Sequence, residues 1–229
     1  MKKITPEELA KYIDQTLLKP FCTLEELKQH CISAAKYNFK TVAINNAPVS
    51  FCRDILDSLN SDVICDAAIS FPLGQSTIET KVFETIDIIN KGAREVDYVI
   101  NISQLKSGNF DYIRQEMIQI VTAAHAYNVP CKVIFENCYL ENDEIVKLCN
   151  IALEVKPDFI KTSTGFGTGG ATLEDVKLMK SIVGDNIKIK AAGGIRSVED
   201  ALNFINAGAS RLGTSAGIKI IEDYKKMLI

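Results

Sequence analysis

Hydrophobic and polar positions along this chain alternate between short apolar runs and longer stretches with helical periodicity. Eight apolar runs occur, and a helical pattern follows each of them, which is typical of repeated βα units. The predicted strands are Tyr12–Leu17, Thr41–Asn45, Val63–Ile69, Glu95–Ile100, Lys132–Glu136, Phe159–Thr162, Ile187–Ala191 and Arg211–Gly213. The predicted helices are Thr23–Tyr37, Pro48–Leu59, Thr77–Lys91, Phe110–Tyr127, Asn142–Val155, Leu173–Ile182, Ser197–Asn206 and Ala216–Met227, with an extra leading helix at Pro6–Lys11.

Eight strand–helix units predict a closed parallel barrel. The alternative is an open, doubly wound sheet, which usually has fewer units and a glycine-rich turn after its first strand. The corresponding turn here reads LLKPF and contains no glycine. No linker or low-complexity run divides the sequence. We therefore predict an α/β protein that forms a single (β/α)8 TIM barrel with an extra N-terminal helix, in one domain over residues 1–229.

Two of the predicted helices begin with capping signals. Thr23 is followed three residues later by Glu26, and Ser197 is followed by Asp200. In such a capping box the hydroxyl accepts a first-turn N–H, while the carboxylate accepts the N–H of the capping residue. These signals support the helix boundaries and carry no chemistry.

The composition is ordinary, with 47% hydrophobic and 24% charged residues and a mean hydropathy of +0.07. The formal net charge of −3 gives no electrostatic reason to expect nucleic acid or an anionic membrane as a partner. The opening residues, MKKITPEELAKYI, lack the apolar region of a signal peptide. No stretch approaches the roughly 18 apolar residues of a membrane span. We expect a cytoplasmic protein.

The cysteines agree with that expectation. They form no CxxC pair, and most lie within apolar stretches, as reduced and buried thiols do. The seven are Cys22, Cys31, Cys52, Cys65, Cys131, Cys138 and Cys149.

Charged residues interrupt several of the predicted strands. In a barrel, the carboxyl ends of the strands build the active site. Burying a charged group is costly unless it is paired or used, so such residues suggest function. Structural salt bridges across the barrel mouth remain the alternative for any one of them. The residues concerned are Asp14, Asp97, Glu136, Lys161 and Lys190.

Lys161 and Lys190 occupy equivalent places in two similar strings, FIKTSTGFG and IKAAGGIR, one βα unit apart. This spacing predicts neighbouring strands, with the two amines about 5–7 Å apart. Two such cations repel by about 2–3 kcal/mol at an effective dielectric constant of about 20, and burial acts in the same direction. One amine should therefore be largely neutral at physiological pH, as attack on a carbonyl requires.

Asp97 lies two predicted strands from Lys161 and is a candidate for proton transfer, directly or through water. It could also pair with Lys190 and keep that lysine charged. A purely structural Asp–Lys pair is the alternative.

Two glycine-containing loops predict a phosphate site. Gly193, Gly194 and Arg196 follow the seventh strand, and Gly213 and Ser215 follow the eighth strand, just before the last helix. Phosphate sites in barrels often use these two loops together with a helix N-terminus. The alternative is that the glycines only close tight turns.

A third loop, which starts at Thr162 and includes Gly165, is longer than a minimal βα turn. Its glycines and hydroxyls predict a mobile loop over the substrate. The two histidines, His30 and His125, fall in predicted outer helices without ligand-like spacing, so we expect both to be surface residues. We expect no metal and no organic cofactor.

These residues and motifs resemble those of the deoxyribose-phosphate aldolase family. The matching segments run in family order over nearly the whole chain: DQTLLKP (14–20), SFPLG (70–74), GAREVDYVIN (92–101), CKVIFENCYL (131–140), DFIKTSTGF (158–166), IKAAGGIRS (189–197) and GASRLGTSAG (208–217). The resemblance implies a class I aldolase that joins acetaldehyde and glyceraldehyde 3-phosphate into 2-deoxyribose 5-phosphate.

The same resemblance implies roles for individual residues. Lys161 is similar to the family's Schiff-base lysine, Lys190 to the lysine that perturbs it, and Asp97 to its proton-transfer aspartate. Asp14 resembles a hydrogen-bonding partner near the substrate. Four residues fall in the family's phosphate-binding loops: Gly194, Arg196, Gly213 and Ser215.

Six positions depart from the usual family pattern. None of them removes a catalytic group, but several fall at strand ends, so the pocket could prefer a different aldehyde. The departures are Gln15 for histidine, Ala43 for cysteine, Asn46 for proline, Ser70 for glycine, Asn137 for threonine and Ala216 for a second serine.

The leading hypothesis is a reversible retro-aldol lyase that acts on 2-deoxyribose 5-phosphate. Two alternatives stay open. One is a lysine-dependent aldolase for a different phosphorylated sugar, and the other is a non-catalytic barrel that binds a sugar phosphate. The resemblance also suggests a homodimer or a larger homo-oligomer, although nothing in the sequence identifies the contact surface.

Overall fold

The computed structural model describes residues 4–228, and in them the predicted barrel is confirmed. Eight parallel strands pair in sequence order, and the first strand also pairs with the last to close the barrel. The strands are β1 (Ile13–Leu17), β2 (Thr41–Ile44), β3 (Ile64–Ile69), β4 (Glu95–Val99), β5 (Cys131–Ile134), β6 (Phe159–Lys161), β7 (Lys188–Ala192) and β8 (Arg211–Thr214).

A helix follows every strand. The helices are α1 (Pro6–Ala10), α2 (Leu24–Tyr37), α3 (Val49–Ser58), α4 (Ile78–Asn90), α5 (Ile102–Lys106), α6 (Phe110–His125), α7 (Asn142–Val155), α8 (Leu173–Val183), α9 (Val198–Ala207) and α10 (Gly217–Met227). None of these helices is long and apolar enough to cross a membrane.

Helix α5 and a 3₁₀ turn at Asn137–Tyr139 were not predicted. Both lie in connections that leave the carboxyl ends of strands, and both are too short to show a helical period. The Asn101 side chain accepts the N–H of Gln104 at 3.2 Å and so begins α5. Short elements of this kind depend on local capping rather than on an apolar face.

The predicted capping boxes are confirmed. The Glu26 carboxylate accepts the N–H of Thr23 at 2.7 Å, and the Thr23 hydroxyl accepts the N–H of Glu26 at 3.2 Å. Asp200 and Ser197 make the equivalent pair of bonds at 3.0 Å each. The predicted end of the fifth strand is wrong, because Glu136 adopts φ 59°, a left-handed conformation in which a strand cannot continue.

The apolar core lies between the barrel and its surrounding helices. Val42, Val96, Val133 and Ile160 belong to it and are fully buried. Since successive strand residues face opposite sides of a sheet, the residues that alternate with them face the barrel axis. That inner face carries charge instead of an apolar core.

Candidate active site

Eight charged side chains fill the inside of the barrel, and none is more than 5% exposed. Every strand except β2 contributes at least one of them. Four are carboxylates and four are cationic groups, so each charge has an opposite charge nearby. The set consists of Asp14, Asp66, Glu95, Asp97, Lys132, Lys161, Lys190 and Arg211.

Lys161 and Lys190 stand side by side, as the sequence predicts. They are direct partners in the β6–β7 register. Each amine donates a hydrogen bond to the same oxygen, Oδ2 of Asp97, at 2.7 Å. Asp97 therefore lies between the two lysines.

Asp97 has a third partner, Lys132, which was not predicted at the site. The Lys132 amine donates to its other oxygen, Oδ1, at 2.7 Å. Burial alone would raise the pKa of Asp97, but Lys132, Lys161 and Lys190 together hold it well below its usual value. When Lys161 is neutral, Lys132 and Lys190 still contact Asp97, so two of the three cations that favour its ionised form stay in place.

Lys190 is surrounded by carboxylates. Besides Asp97, its amine contacts Asp14 at 2.6 Å and Asp66 at 3.0 Å. Burial opposes the charged form, but these three neighbours raise the pKa of Lys190 above its ordinary value. The structure therefore supports the prediction that this lysine stays charged.

Lys161 has only one carboxylate partner among the described residues, and that partner is the shared Asp97. Burial lowers the pKa of Lys161, the charge of Lys190 lowers it further, and Asp97 opposes the shift. Repulsion by Lys190 was predicted to be the leading cause. Burial is the larger cause, and repulsion adds to it.

The remaining members hold the inner layer together. Arg211 donates to Asp14 at 2.8 Å and to Glu95 at 2.6 Å, and Lys132 contacts Asp66 at 2.9 Å. Asp14, Asp66 and Glu95 bring oxygens within 4.8 Å of one another, as metal ligands would. In this protein the neighbouring lysine and arginine side chains supply the positive charge at that place.

A cavity of about 510 Å³ opens at the carboxyl ends of the strands, and Lys161 reaches it. Six other predicted site residues also line this cavity: Gly165, Gly193, Gly194, Arg196, Gly213 and Ser215. The lysine and the two predicted anion loops therefore share one cavity. The other lining residues include Lys19, His30 and Phe166, which were not predicted at the site.

Two predicted substrate-binding residues do not line the cavity. Asp14 is fully buried and is held by Lys190 and Arg211 in the layer below. Thr162 is also fully buried, and its hydroxyl donates to the carbonyl of Ala192 at 3.4 Å and accepts the Ala192 N–H at 3.2 Å. Both residues support neighbouring strands rather than face the substrate space.

Glu136 holds one edge of the cavity in place. Its carboxylate accepts the N–H of Thr164 at 2.9 Å and also the Thr164 hydroxyl. Burial raises the pKa of Glu136, while these hydrogen bonds oppose the shift. Glu136 thus fixes the start of the loop that follows Lys161.

That loop is anchored at its far end as well. A Cβ atom on Gly170 would lie 2.4 Å from the carbonyl oxygen of Gly193, so only glycine permits this approach. Ala171 then donates its N–H to the carbonyl of Ala192 at 3.0 Å. The mobility predicted for the loop stays a prediction, and it is restricted to the residues between these two anchors.

His30 was expected at the surface, and this prediction is wrong. Its Nε2 lies 3.0 Å from the carbonyl oxygen of Gln15, and burial lowers its pKa to about 4. His125 does lie at the surface, where it contacts Asp158 at 2.8 Å. The amphipathic pattern of α2 could not distinguish a residue at the edge of the cavity from an exposed one.

Of the six positions that depart from the family pattern, only Gln15 lines the main cavity. Asn46 and Ser70 line a separate cavity, where both bind Glu84. Asn137 is buried against Met179. Most of the departures therefore lie away from the space above Lys161.

The fold and this site define a class of protein: a (β/α)8-barrel enzyme with a buried amine of lowered pKa and a carboxylate beside it. The family model described as DeoC/LacD family aldolase matches residues 8–223. The chain belongs to this aldolase family.

The most similar relatives include deoxyribose-phosphate aldolase from Lactobacillus acidophilus, 58% identical over 97% of this chain and 93% of the relative. Another is deoxyribose-phosphate aldolase from Caldanaerobacter subterraneus, 51% identical over 95% and 94%. Among solved structures, an aldolase called QR15 superposes with a TM-score of 0.90 at 38% identity, over 96% of this chain and 97% of that one. A tetrameric deoxyribose phosphate aldolase from Aeropyrum pernix has a TM-score of 0.90 at 31% identity, over 97% and 93%.

Proposed function

We propose that this aldolase reversibly cleaves 2-deoxyribose 5-phosphate into acetaldehyde and glyceraldehyde 3-phosphate through a Schiff base on Lys161. The observation that carries the proposal is the Lys161 amine, which reaches the cavity while burial and Lys190 favour its neutral form. Relatives that match nearly the whole chain bear the corresponding name.

The reaction begins at the open-chain aldehyde. Neutral Lys161 attacks C1 and, with loss of one water, forms an iminium ion. This cation withdraws electrons from the adjacent C2–C3 bond. No metal ion or organic cofactor is needed as an electron sink.

Cleavage requires removal of a proton from the C3 hydroxyl. Asp97 is ionised and 2.7 Å from the Lys161 amine, and it lies behind the cavity wall, so we assign this proton transfer to Asp97 acting through water. As the C2–C3 bond breaks, C3 becomes the aldehyde of glyceraldehyde 3-phosphate and the electron pair forms an enamine. Return of a proton to C2 and addition of one water release acetaldehyde and the free amine.

The phosphate end of the cavity is formed by Gly193, Gly194, Arg196 and Ser215. Glycine-rich backbone, a guanidinium group and the start of α10 suit a phosphate group. We therefore place the phosphate there and the aldehyde at Lys161.

We also propose that the protein works in the cytoplasm, in deoxyribonucleotide breakdown. We propose that it forms a homo-oligomer, because one related structure is described as tetrameric.

A substrate panel tests the proposal. Incubation with 2-deoxyribose 5-phosphate should release acetaldehyde in equal amounts to glyceraldehyde 3-phosphate, and faster than from other sugar phosphates. Turnover of a different sugar phosphate only would contradict the assigned substrate. Binding without turnover of any of them would contradict the assigned activity.

A further inference from the structure

Gln15 connects β1 to the loop that precedes α10, and this loop forms one wall of the cavity. Its side-chain Nε2 donates a hydrogen bond to the carbonyl oxygen of Ser215 at 3.3 Å, and Gln15 is only 5% exposed. Gln15 is the register partner of Thr214 on β8. The contact therefore joins two neighbouring strands at the point where β8 ends.

The Gln15 amide also lies against the first turn of α10. A Cβ atom on Gly217 would be 2.3 Å from Oε1 of Gln15, so a side chain there would displace the amide. Oε1 is buried and has no hydrogen-bond partner among residues 4–228. Helix α10 has no side-chain cap at Ala216. The Gln15 amide therefore lies against the start of the helix, while its donor holds Ser215 just before it.

Thr214 holds the same loop from the other side. Its hydroxyl donates to the carbonyl of Ile195 at 2.7 Å and accepts the N–H of Ala216 at 2.9 Å. The two predicted anion loops are thereby joined. The peptide that follows Ser215 is then fixed between Thr214 and Gln15.

His30 supports Gln15 without adding charge. A carbonyl oxygen only accepts hydrogen bonds, so the Nε2 atom that contacts the Gln15 carbonyl carries the proton. With its pKa lowered to about 4 by burial, the imidazole is neutral at physiological pH. His30 therefore braces the β1 backbone and does not itself attract an anion.

We propose that Gln15 is a positioning residue that orients the Ser215 loop and the start of α10 toward the phosphate group of the substrate. The proposal rests on the proposed function, because it assumes a phosphorylated substrate. Backbone N–H groups and a helix start bind an anion well only when they are held in place. Without the Gln15 donor, only Thr214 holds this peptide, so the Ser215 carbonyl can turn more easily, and an oxygen facing the phosphate would repel it.

Steady-state kinetics with and without the phosphate test this role. Gln15→Leu should raise KM for 2-deoxyribose 5-phosphate about tenfold, the effect of about one lost hydrogen bond, with kcat nearly unchanged. Its kcat/KM for unphosphorylated 2-deoxyribose should stay within about twofold of the wild-type value. Gln15→His keeps a hydrogen-bond donor at this position, so its KM should stay much closer to the wild-type value than the KM of Gln15→Leu. Gln29→Leu, the same change on the exposed face of α2, is the matched control and should alter neither substrate.

A second variant approaches the contact from the other side. Gly217→Ala leaves Gln15 in place but displaces its amide, and the new Cβ also lies 2.9 Å from Cγ2 of Ile13, so its thermal stability is measured alongside. It should raise KM for the phosphorylated substrate alone. Equal losses on both substrates, or no loss on either, in both variants would overturn the positioning role. Absence of deoxyribose 5-phosphate cleavage by the wild-type protein would instead contradict the proposed function, so the two failures are distinguishable.

Discussion

Lys161 and Lys190 are the same residue type, paired in register on neighbouring strands, yet their surroundings give them opposite charge preferences. Both are buried, so burial by itself does not separate them. Lys190 contacts three carboxylates within 3.0 Å, whereas Lys161 shares a single carboxylate with two other cations. The pKa of Lys190 is therefore raised and that of Lys161 is lowered. The number of carboxylates around each amine therefore separates the pKa values of the two lysines.

The largest expected effect is the loss of the reactive amine. Lys161→Ala should reduce turnover by at least about 10⁴-fold, as removal of a nucleophile does in other enzymes. Thermal unfolding and circular dichroism should show an intact fold, because the variant removes a buried amine that has one shared partner. Turnover near the wild-type rate in this variant would show that a group other than Lys161 forms the imine.

Asp97→Asn should separate the two chemical steps. The amide keeps the shape of the carboxylate but cannot accept a proton, so C–C cleavage should fall by about 10²- to 10⁴-fold. Asp97 opposes the lowering of the Lys161 pKa, so its loss should leave more of this amine neutral, and borohydride trapping of the imine should persist. If imine trapping and C–C cleavage fell equally, Asp97 would act only by positioning the lysines and not by transferring a proton.

Lys190→Leu tests the comparison itself. Without the Lys190 charge, Asp97 contacts only Lys132 and Lys161. The pKa of Lys161 should then rise, because the repulsion by Lys190 is gone. Each unit of rise leaves about tenfold less neutral amine, so imine formation at pH 7 should slow by about 10- to 100-fold. The rising limb of the pH–rate profile should move to higher pH.

The matched control is Lys188→Leu, two residues earlier on β7, where the side chain is exposed. It should leave the profile unchanged. A Lys190→Leu profile that superposed on the wild-type curve would contradict the electrostatic account of the lysine pair.

The smallest expected effect concerns Asp66, which contacts Lys190 and whose pKa is raised to about 6 by burial and by Asp97. The folded protein then binds more protons than the unfolded chain between about pH 4 and pH 6, so this group makes the fold less stable as pH rises through that window. Asp66→Asn removes the contribution. As the pH rises from 4 to 7, the free energy of unfolding of the variant, measured in urea, should increase by up to about 3 kcal/mol relative to that of the wild type. A difference independent of pH would show that Asp66 titrates normally.

The strand–helix alternation was sufficient to predict the barrel, because each βα unit has its own apolar period. It was also sufficient to place Lys161 and Lys190 together, because one unit of spacing puts equivalent residues side by side. Lys132 was missed because it lies near the start of β5 rather than at its end. Its importance depends on Asp66 and Glu95 from two other strands, and that register is not visible in the sequence.

Side-chain direction limited the remaining predictions. Asp14 and Thr162 carry the residue types expected of a substrate site, yet both point to neighbouring strands. His30 has the polar character of a surface residue, yet α2 packs it against the Gln15 backbone. In each case the deciding contact joins residues that are distant in the sequence or depends on the exact rotation of an element.

Borohydride reduction in the presence of acetaldehyde, followed by peptide mass mapping, tests the central claim most directly. Lys161 should carry an ethyl group on Nζ, since reduction converts the imine into a stable secondary amine, and Lys190 and Lys132 should remain unmodified. A principal adduct on any other lysine, or none on Lys161, would contradict the account.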